Sequence, residues 1–169
     1  MSHRYLVALG SNRRHGEHGR PRGVVRAAME ELSALGTVRA RSPVIDTAPM
    51  GAARRRFANA VAELESELSP PDLLRALKRL ERDFGRRRGR AWGDRVLDLD
   101  IVLWTGGEWQ SRDLAIPHRG LAARGFVLGP ATAIAPDWCD PVTGLTLRQL
   151  QARLTRPRPL PRDRTRSGR

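Results

Sequence analysis

Hydrophobic and polar positions alternate along this chain in two periods, and the change from one to the other marks its elements. Tyr5-Leu6-Val7-Ala8-Leu9 is a short apolar run closed by Gly10-Ser11-Asn12, which predicts a buried strand and a turn. Val25, Ala28, Met29, Leu32 and Leu35 then recur at helical spacing over 23–35, with Gly36 placed to end the helix. Residues 37–47 predict extended chain, with Pro43 at an edge or bulge. Over 57–65 the period is two. Ala58, Ala60, Ala62 and Leu64 make one face; Phe57, Asn59, Val61, Glu63 and Glu65 make the other. A row of small alanines invites a helix to pack closely on that face.

Ser69-Pro70-Pro71-Asp72 predicts a helix start, with Ser69 as the cap, proline at the first position and an acid at the third. Leu73, Leu74, Leu77, Leu80 and Phe84 follow on one stripe, and Gly85 ends it. A strand over 97–104, a turn at Gly106-Gly107 and a short strand including Trp109 come next. A last helix, capped by Thr146, carries Leu147, Leu150 and Leu154. The order βαββαβ with C-terminal additions predicts an α+β, ferredoxin-like sandwich, an antiparallel sheet with helices packed on it. Residues 1–155 form one expected domain. The Pro- and Arg-rich tail, 156–169, has little to bury and is expected to be disordered.

The chemistry gathers on the strand over 97–104. Asp98 and Asp100 fall on one face, while Leu99, Ile101 and Leu103 are expected to point into a core on the other. Two neighbouring carboxylates repel unless a cation lies between them. Mg²⁺ suits such a pair, since it takes one or two carboxylates and leaves its other positions to water and phosphate. Arg86-Arg87-Arg88-Gly89-Arg90 and Arg95 stand just upstream, as a polyphosphate partner would require. The plainer alternative is a pair of solvated acids beside an arginine-rich surface. Phe57 and Asn59 carry a similar choice: a seat for a flat heterocycle, or core and loop cap. His118 and Arg124 are further phosphate candidates. His15 and His18, with no third ligand nearby, read as solvated loop residues.

Net charge of +13 invites nucleic acid as a partner. Lys78 is the only lysine among 31 basic residues, a bias that weakens the inference. Basic residues cluster at 13–26, 54–56, 86–95 and in the C-terminal tail, and an enzyme of an anionic nucleotide accounts for some of these equally well. An RNA-binding module with the same βαββαβ order needs exposed aromatics on its central strands. Here Tyr5 and Phe57 stand alone on theirs, so no nucleic-acid partner is expected. Cys139 is the single cysteine, which excludes an intrachain disulfide and fits a reducing compartment. No apolar run has bilayer length and no signal-peptide core is visible, so a cytoplasmic, membrane-free monomer is expected. Neither a P-loop nor a strand-linked Gly-x-Gly-x-x-Gly is present.

Several landmarks together resemble the 6-hydroxymethyl-7,8-dihydropterin pyrophosphokinase family. They are Leu9-Gly10-Ser11-Asn12, Thr47-Ala48-Pro49-Met50-Gly51, Phe57-Ala58-Asn59-Ala60-Val61, Glu81 with Gly85-Arg86-Arg87-Arg88, and Trp92-Gly93-Asp94-Arg95 with Leu97-Asp98-Leu99-Asp100-Ile101. Ile116-Pro117-His118 with Arg124-Gly125-Phe126-Val127-Leu128 completes the set. The resemblance spans about residues 4–154, and the Arg-x-Leu-Asp-Leu-Asp-Ile block is its most specific part. It implies pyrophosphoryl transfer from ATP to the hydroxymethyl oxygen of the reduced pterin, with release of AMP. By the same resemblance, Asp98 and Asp100 hold two Mg²⁺ ions and act with Arg86 and Arg95 in catalysis. Glu81, Arg86, Arg88, Trp92, Arg95, Ile101, His118 and Arg124 are its implied ATP-binding residues. Thr47, Ala48, Pro49, Met50, Phe57, Asn59 and Phe126 would hold the pterin, and loops 13–22 and 86–91 would close over the substrates. Ala91, Asp94 and Arg119 depart from common family residues, and a catalytically dead relative is disfavoured because both aspartates, the arginines and His118 are present.

Overall fold

A computed structural model describes residues 1–49, 55–85 and 96–157. Five strands, β1 (His3–Ser11), β2 (Thr37–Arg41), β3 (Ile45–Thr47), β4 (Phe57–Ser66) and β5 (Asp98–Trp104), form one antiparallel sheet. Their order is β2-β4-β1-β5, and β3 continues beyond β2 along β4. The break between β2 and β3 comes at Ser42–Val44, around the predicted proline. There Ser42 donates its N–H to the Val61 carbonyl, and its Oγ accepts from the Val61 N–H. A β6–β7 pair (Trp109–Gln110 and Ala115–Ile116) stands apart from the main sheet. The α+β, ferredoxin-like expectation holds.

Helices α1 (Pro21–Glu31) and α2 (Pro70–Gly85) cover one face of the sheet; α3 (Gly125–Ile134) and α4 (Leu147–Thr155) cover the other. On the first face, Tyr5, Val7, Leu9 and the Ala58-Ala60-Ala62-Leu64 row pack against Val24, Val25 and Ala28 of α1 and Leu73 and Leu77 of α2. The alanines do let a helix approach closely. On the second face, Leu6, Val61, Val102 and Leu103 meet Val127, Leu128 and Ala131 of α3 and Leu147 and Leu150 of α4. The predicted caps form as well. Ser69 Oγ accepts the Asp72 N–H and donates to its carboxylate, and Thr146 exchanges hydrogen bonds with Gln149. Tyr5 is fully buried and donates its hydroxyl to the Leu68 carbonyl at 2.6 Å; burial, with Asp72 nearby, pushes its pKa up to about 12.

Two expectations need correction. Leu103 does not share a face with Leu99 and Ile101. The pairing of β1 with β5 slips by one residue: Leu6 faces Leu103, but Val7 faces Ile101. Such a bulge leaves Val102 as an extra residue and reverses the alternation beyond it. Leu99 and Ile101 therefore sit under α1 and α2, whereas Val102 and Leu103 both join the α3 core. His15 and His18 are not simply solvated either. Their rings stack at 4.7 Å and pack on Phe84, while His15 Nδ1 accepts the Glu17 and His18 N–H groups. With reciprocal backbone bonds between His15 and Gly19, they make the 13–22 segment a compact turn.

Candidate active site

Alternation with Leu99 and Ile101, upstream of the bulge, puts Asp98 and Asp100 on the α3 face, at the start of β5 where the sheet is no longer filled by core. A cleft of about 260 Å³ opens there. Its floor is β1: Gly10 pairs with Asn59 on one side and with Asp98 on the other. At ordinary strand spacing, the amide-bearing and acid-bearing backbones stand about 10 Å apart across that glycine. A Cβ on Gly10 would lie 3.1 Å from Asn59 Oδ1, so the missing side chain keeps the floor open beside the amide.

One end of the cleft suits a flat polar ring. Phe57 projects from β4 and Phe126 from the first turn of α3, and both line the cleft with Thr47. Asn59 is buried and donates Nδ2–H to Thr47 Oγ1 at 2.8 Å, which fixes the plane of the amide. Ala48 and Pro49 follow Thr47 on the exposed exit from β3. Phe126 belongs to a helix that the hydrophobic pattern did not reveal. The inward positions of α3 include Val127, Leu128, Pro130 and Ala131, so its apolar run hides the period.

The other end is charged. Asp98, Asp100 and Arg124 line it, and the Arg124 guanidinium carbon stands 5.9 Å from the Phe126 ring centre. His118 is half-buried close by. Its backbone N–H donates to the Val102 carbonyl, and its Nδ1 accepts the Gly120 N–H at 3.0 Å. Neutral His118 therefore carries its proton on Nε2. Burial lowers its pKa first of all; Asp100 opposes that shift and Arg124 reinforces it. A depressed imidazole pKa means that the unfolded chain binds the extra proton first. Stability should accordingly decline as pH falls below the ordinary histidine value of 6.5. Denaturation midpoints measured from pH 7.5 to 5 should show that decline, and His118→Gln should flatten it. An unchanged slope in the variant would assign the decline to other groups.

Glu81 reaches the charged end through the backbone. Its Oε1 accepts the Leu99 N–H at 2.7 Å, between the two aspartates, while Lys78 Nζ pairs with the same carboxylate at 2.9 Å. Helix α2 thereby clamps the start of β5. Glu81→Ala should destabilise the fold by about 1–3 kcal/mol, the cost of a buried donor left unpaired, whereas Glu81→Gln keeps an acceptor and should cost less. Equal midpoints for the two variants in urea melts would show that the bond carries no such weight.

The remaining sequence-derived residues divide cleanly. Thr47, Phe57, Asn59, Asp98, Asp100, Arg124 and Phe126 converge on one cleft. The Ile101 side chain does not: it is buried in the α1–α2 core, on the opposite face from the aspartates. Met50, Arg86, Arg88, Trp92 and Arg95 lie outside the described residues, as do Ala91 and Asp94. Gly10, Ala8 and Val127 line the cleft without having been singled out for a role. Gly10 was visible in its Leu-Gly-Ser-Asn run, but its use as a floor depends on strand register.

Asp98 and Asp100 fit a hard divalent cation. Both are partly exposed oxygen donors on one strand face at the cleft. No group of three or more His, Cys, Asp or Glu side chains suited to a metal occurs among the described residues. Two protein carboxylates with the other positions left to water and phosphate is the Mg²⁺ pattern, unlike a closed structural cage.

A ring seat at one end of a cleft and paired acids with an arginine at the other suit an enzyme that joins a flat small molecule to an anionic one. Comparison with known proteins makes that class specific. Residues 6–136 match a sequence model of 7,8-dihydro-6-hydroxymethylpterin-pyrophosphokinase. The chain is 41% identical over 140 residues to the 2-amino-4-hydroxy-6-hydroxymethyldihydropteridine pyrophosphokinase of Pseudomonas aeruginosa, covering 81% of this chain and 83% of that one. It is 36% identical over 157 residues to the protein of the same name in Methylorubrum extorquens, covering 91% and 94%. In structure it is similar to wild-type Plasmodium falciparum HPPK-DHPS, with a TM-score of 0.69 at 12% identity. That match covers 90% of this chain but only 41% of the longer one. The chain belongs to the 7,8-dihydro-6-hydroxymethylpterin-pyrophosphokinase family.

Proposed function

We propose that this chain transfers a pyrophosphoryl group from ATP to the hydroxymethyl oxygen of 6-hydroxymethyl-7,8-dihydropterin and releases AMP, a step of folate biosynthesis. Family membership supports the reaction, and one observation supports its placement: Gly10 is flanked in register by Asn59 and Asp98, an amide on one side and an acid on the other.

In this reading the pterin lies between Phe57 and Phe126, and Asn59 with the Thr47–Met50 segment meets its donor and acceptor edge. Aromatic faces favour any flat ring, whereas a buried amide left unpaired is costly, so the amide supplies selectivity. Asp98 and Asp100 would hold two Mg²⁺ ions, and Glu81 keeps their strand in place. When bound, the metal neutralises phosphate charge that grows on the transferred group and on the leaving AMP. Arg86, Arg88, Arg95, His118 and Arg124 bind the triphosphate, with Glu81 and Trp92 at the nucleotide; the Ile101 side chain, buried under α1 and α2, takes no part. Arg86 and Arg95 add charge at the reacting phosphate. The hydroxymethyl oxygen, held at the pterin's edge, attacks the β-phosphorus; the bond from that phosphorus to the α-phosphate oxygen breaks, and AMP leaves. Orientation supplies much of the rate, because the two anions would otherwise repel.

The protein acts as a monomer on small molecules in the cytoplasm, with residues 1–155 as its pyrophosphokinase domain. The lone, exposed Cys139 suits a reducing compartment, and no helix among the described residues is long and apolar enough to cross a membrane. The decisive measurement is nucleotide release with ATP and Mg²⁺, with and without the hydroxymethyl dihydropterin. AMP formed only with the pterin is the expected result. ADP, or AMP independent of pterin, overturns the assignment.

A further inference from the structure

Next to the ring seat, beyond Phe57, lies a second cleft of about 640 Å³ that the reaction does not use. It is lined by Arg14 and Arg20 of the 13–22 turn, Arg22 of α1, and Arg55 and Arg56 at the entry to β4. The one acid in its wall, Asp46, already pairs with Arg22 at 2.9 Å. Among the described residues, Arg14, Arg20, Arg55 and Arg56 make no ion pair. Five arginines from three segments thus line one cleft that contains a single carboxylate, and only Arg22 is paired with it. Asp98, Asp100, His118 and Arg124 take no part in this wall; Phe57 is the only residue it shares with the ring cleft.

We propose that this cleft binds a short polyphosphate chain, inorganic or carried by a nucleotide, without a metal. Guanidinium groups match phosphate oxygens two at a time and cannot be discharged at any physiological pH. Like charges gathered in one concavity raise its potential, and a multivalent anion relieves their repulsion. The start of α1 reinforces the sign: Arg20 and Pro21 form part of the wall, and the helix has neither a side-chain cap nor an acid in its first turn. Paired carboxylates need a metal before they accept phosphate; this cleft has none to neutralise beyond Asp46, which Arg22 already holds. A local concavity of this size suits a compact anion. A nucleic-acid strand would need a track of cations with bases stacked along it. The inference stands apart from the proposed reaction, because neither its residues nor its metal-free conditions belong to the catalytic end.

Calorimetric titration of the full chain with tripolyphosphate, in EDTA and at low salt, tests it. One saturable site is expected. The double variant R55A/R56A should weaken it at least tenfold, as should R14A/R20A. All four residues are exposed, and circular dichroism checks that the variants fold. R124A, which removes a cation from the other cleft, should leave the affinity unchanged. A parallel titration with ATP separates the sources: equal affinity assigns the site to the phosphate chain, and tighter binding lost in R55A/R56A assigns it to a nucleotide. A non-saturating curve, affinity unmoved in R55A/R56A, or an equal loss in R124A overturns the proposal. So does a single-stranded oligonucleotide that outcompetes tripolyphosphate for these arginines.

Discussion

Asp98→Ala and Asp100→Ala should each lower pterin-dependent AMP release roughly 10³-fold, about 4 kcal/mol of barrier, while the folded state survives. The two carboxylates stand partly exposed on the open face of β5, and the packing of that strand rests on its neighbours Leu97, Leu99 and Ile101. Removing an acid therefore leaves that apolar core intact. On the proposed reaction, what is lost is the means of holding a divalent cation where two anions must meet. Asn substitutions keep the shape and an oxygen donor but not the charge, so they should fall on the same side as the alanines. Raising Mg²⁺ should recover part of the activity of whichever variant retains one ligand. Steady-state assays across a Mg²⁺ series, with melting curves alongside, give the answer. Near-normal turnover in both variants would remove the metal from this strand.

The aspartate pair was legible because it depends only on the period of a strand. Two acids two residues apart share a face whatever the partner strands do. The reach of that rule ends at Val102. A bulge is a property of pairing between β1 and β5, and nothing in the composition of Asp98–Trp104 announces it; Leu103 accordingly fell on the wrong side. The same limit explains Gly10. Its place in a conspicuous run was plain, but that it separates Asn59 from Asp98 is a matter of register across residues far apart in the chain. Helix α3 was missed for the opposite reason. Periodicity needs a polar face to contrast with, and a segment carrying Gly, Pro and a run of apolar side chains offers little. Helix α2, with a strong stripe and a Ser69 cap, was legible from end to end. His15 and His18 show a third kind of limit. Their rings are withdrawn from solvent by Phe84, which approaches only when α2 is folded against the first turn.

Phe126→Ala should raise the Kd for the pterin by about ten- to a hundredfold while changing ATP affinity far less. The ring of Phe126 closes the cleft from the α3 side, opposite a strand that contributes Phe57 and Asn59. Truncation deletes one of two aromatic walls, and stacked contacts of this kind, with their buried area, amount to about 1.5–3 kcal/mol. The helix should tolerate the change, because Val127, Leu128 and Ala131 carry its packing and Phe126 is only half-buried. Asn59→Leu offers the complementary loss. It preserves apolar bulk but removes the amide that Thr47 holds in plane, so it should weaken the cognate pterin more than a flat ring lacking the same polar edge. The two variants therefore separate grip from reading. Fluorescence titrations with the pterin, and with a ring analogue of altered edge, distinguish them: Phe126→Ala should reduce both affinities in parallel, and Asn59→Leu should bring them together. A larger effect of Phe126→Ala on ATP than on pterin would move the ring seat out of this cleft.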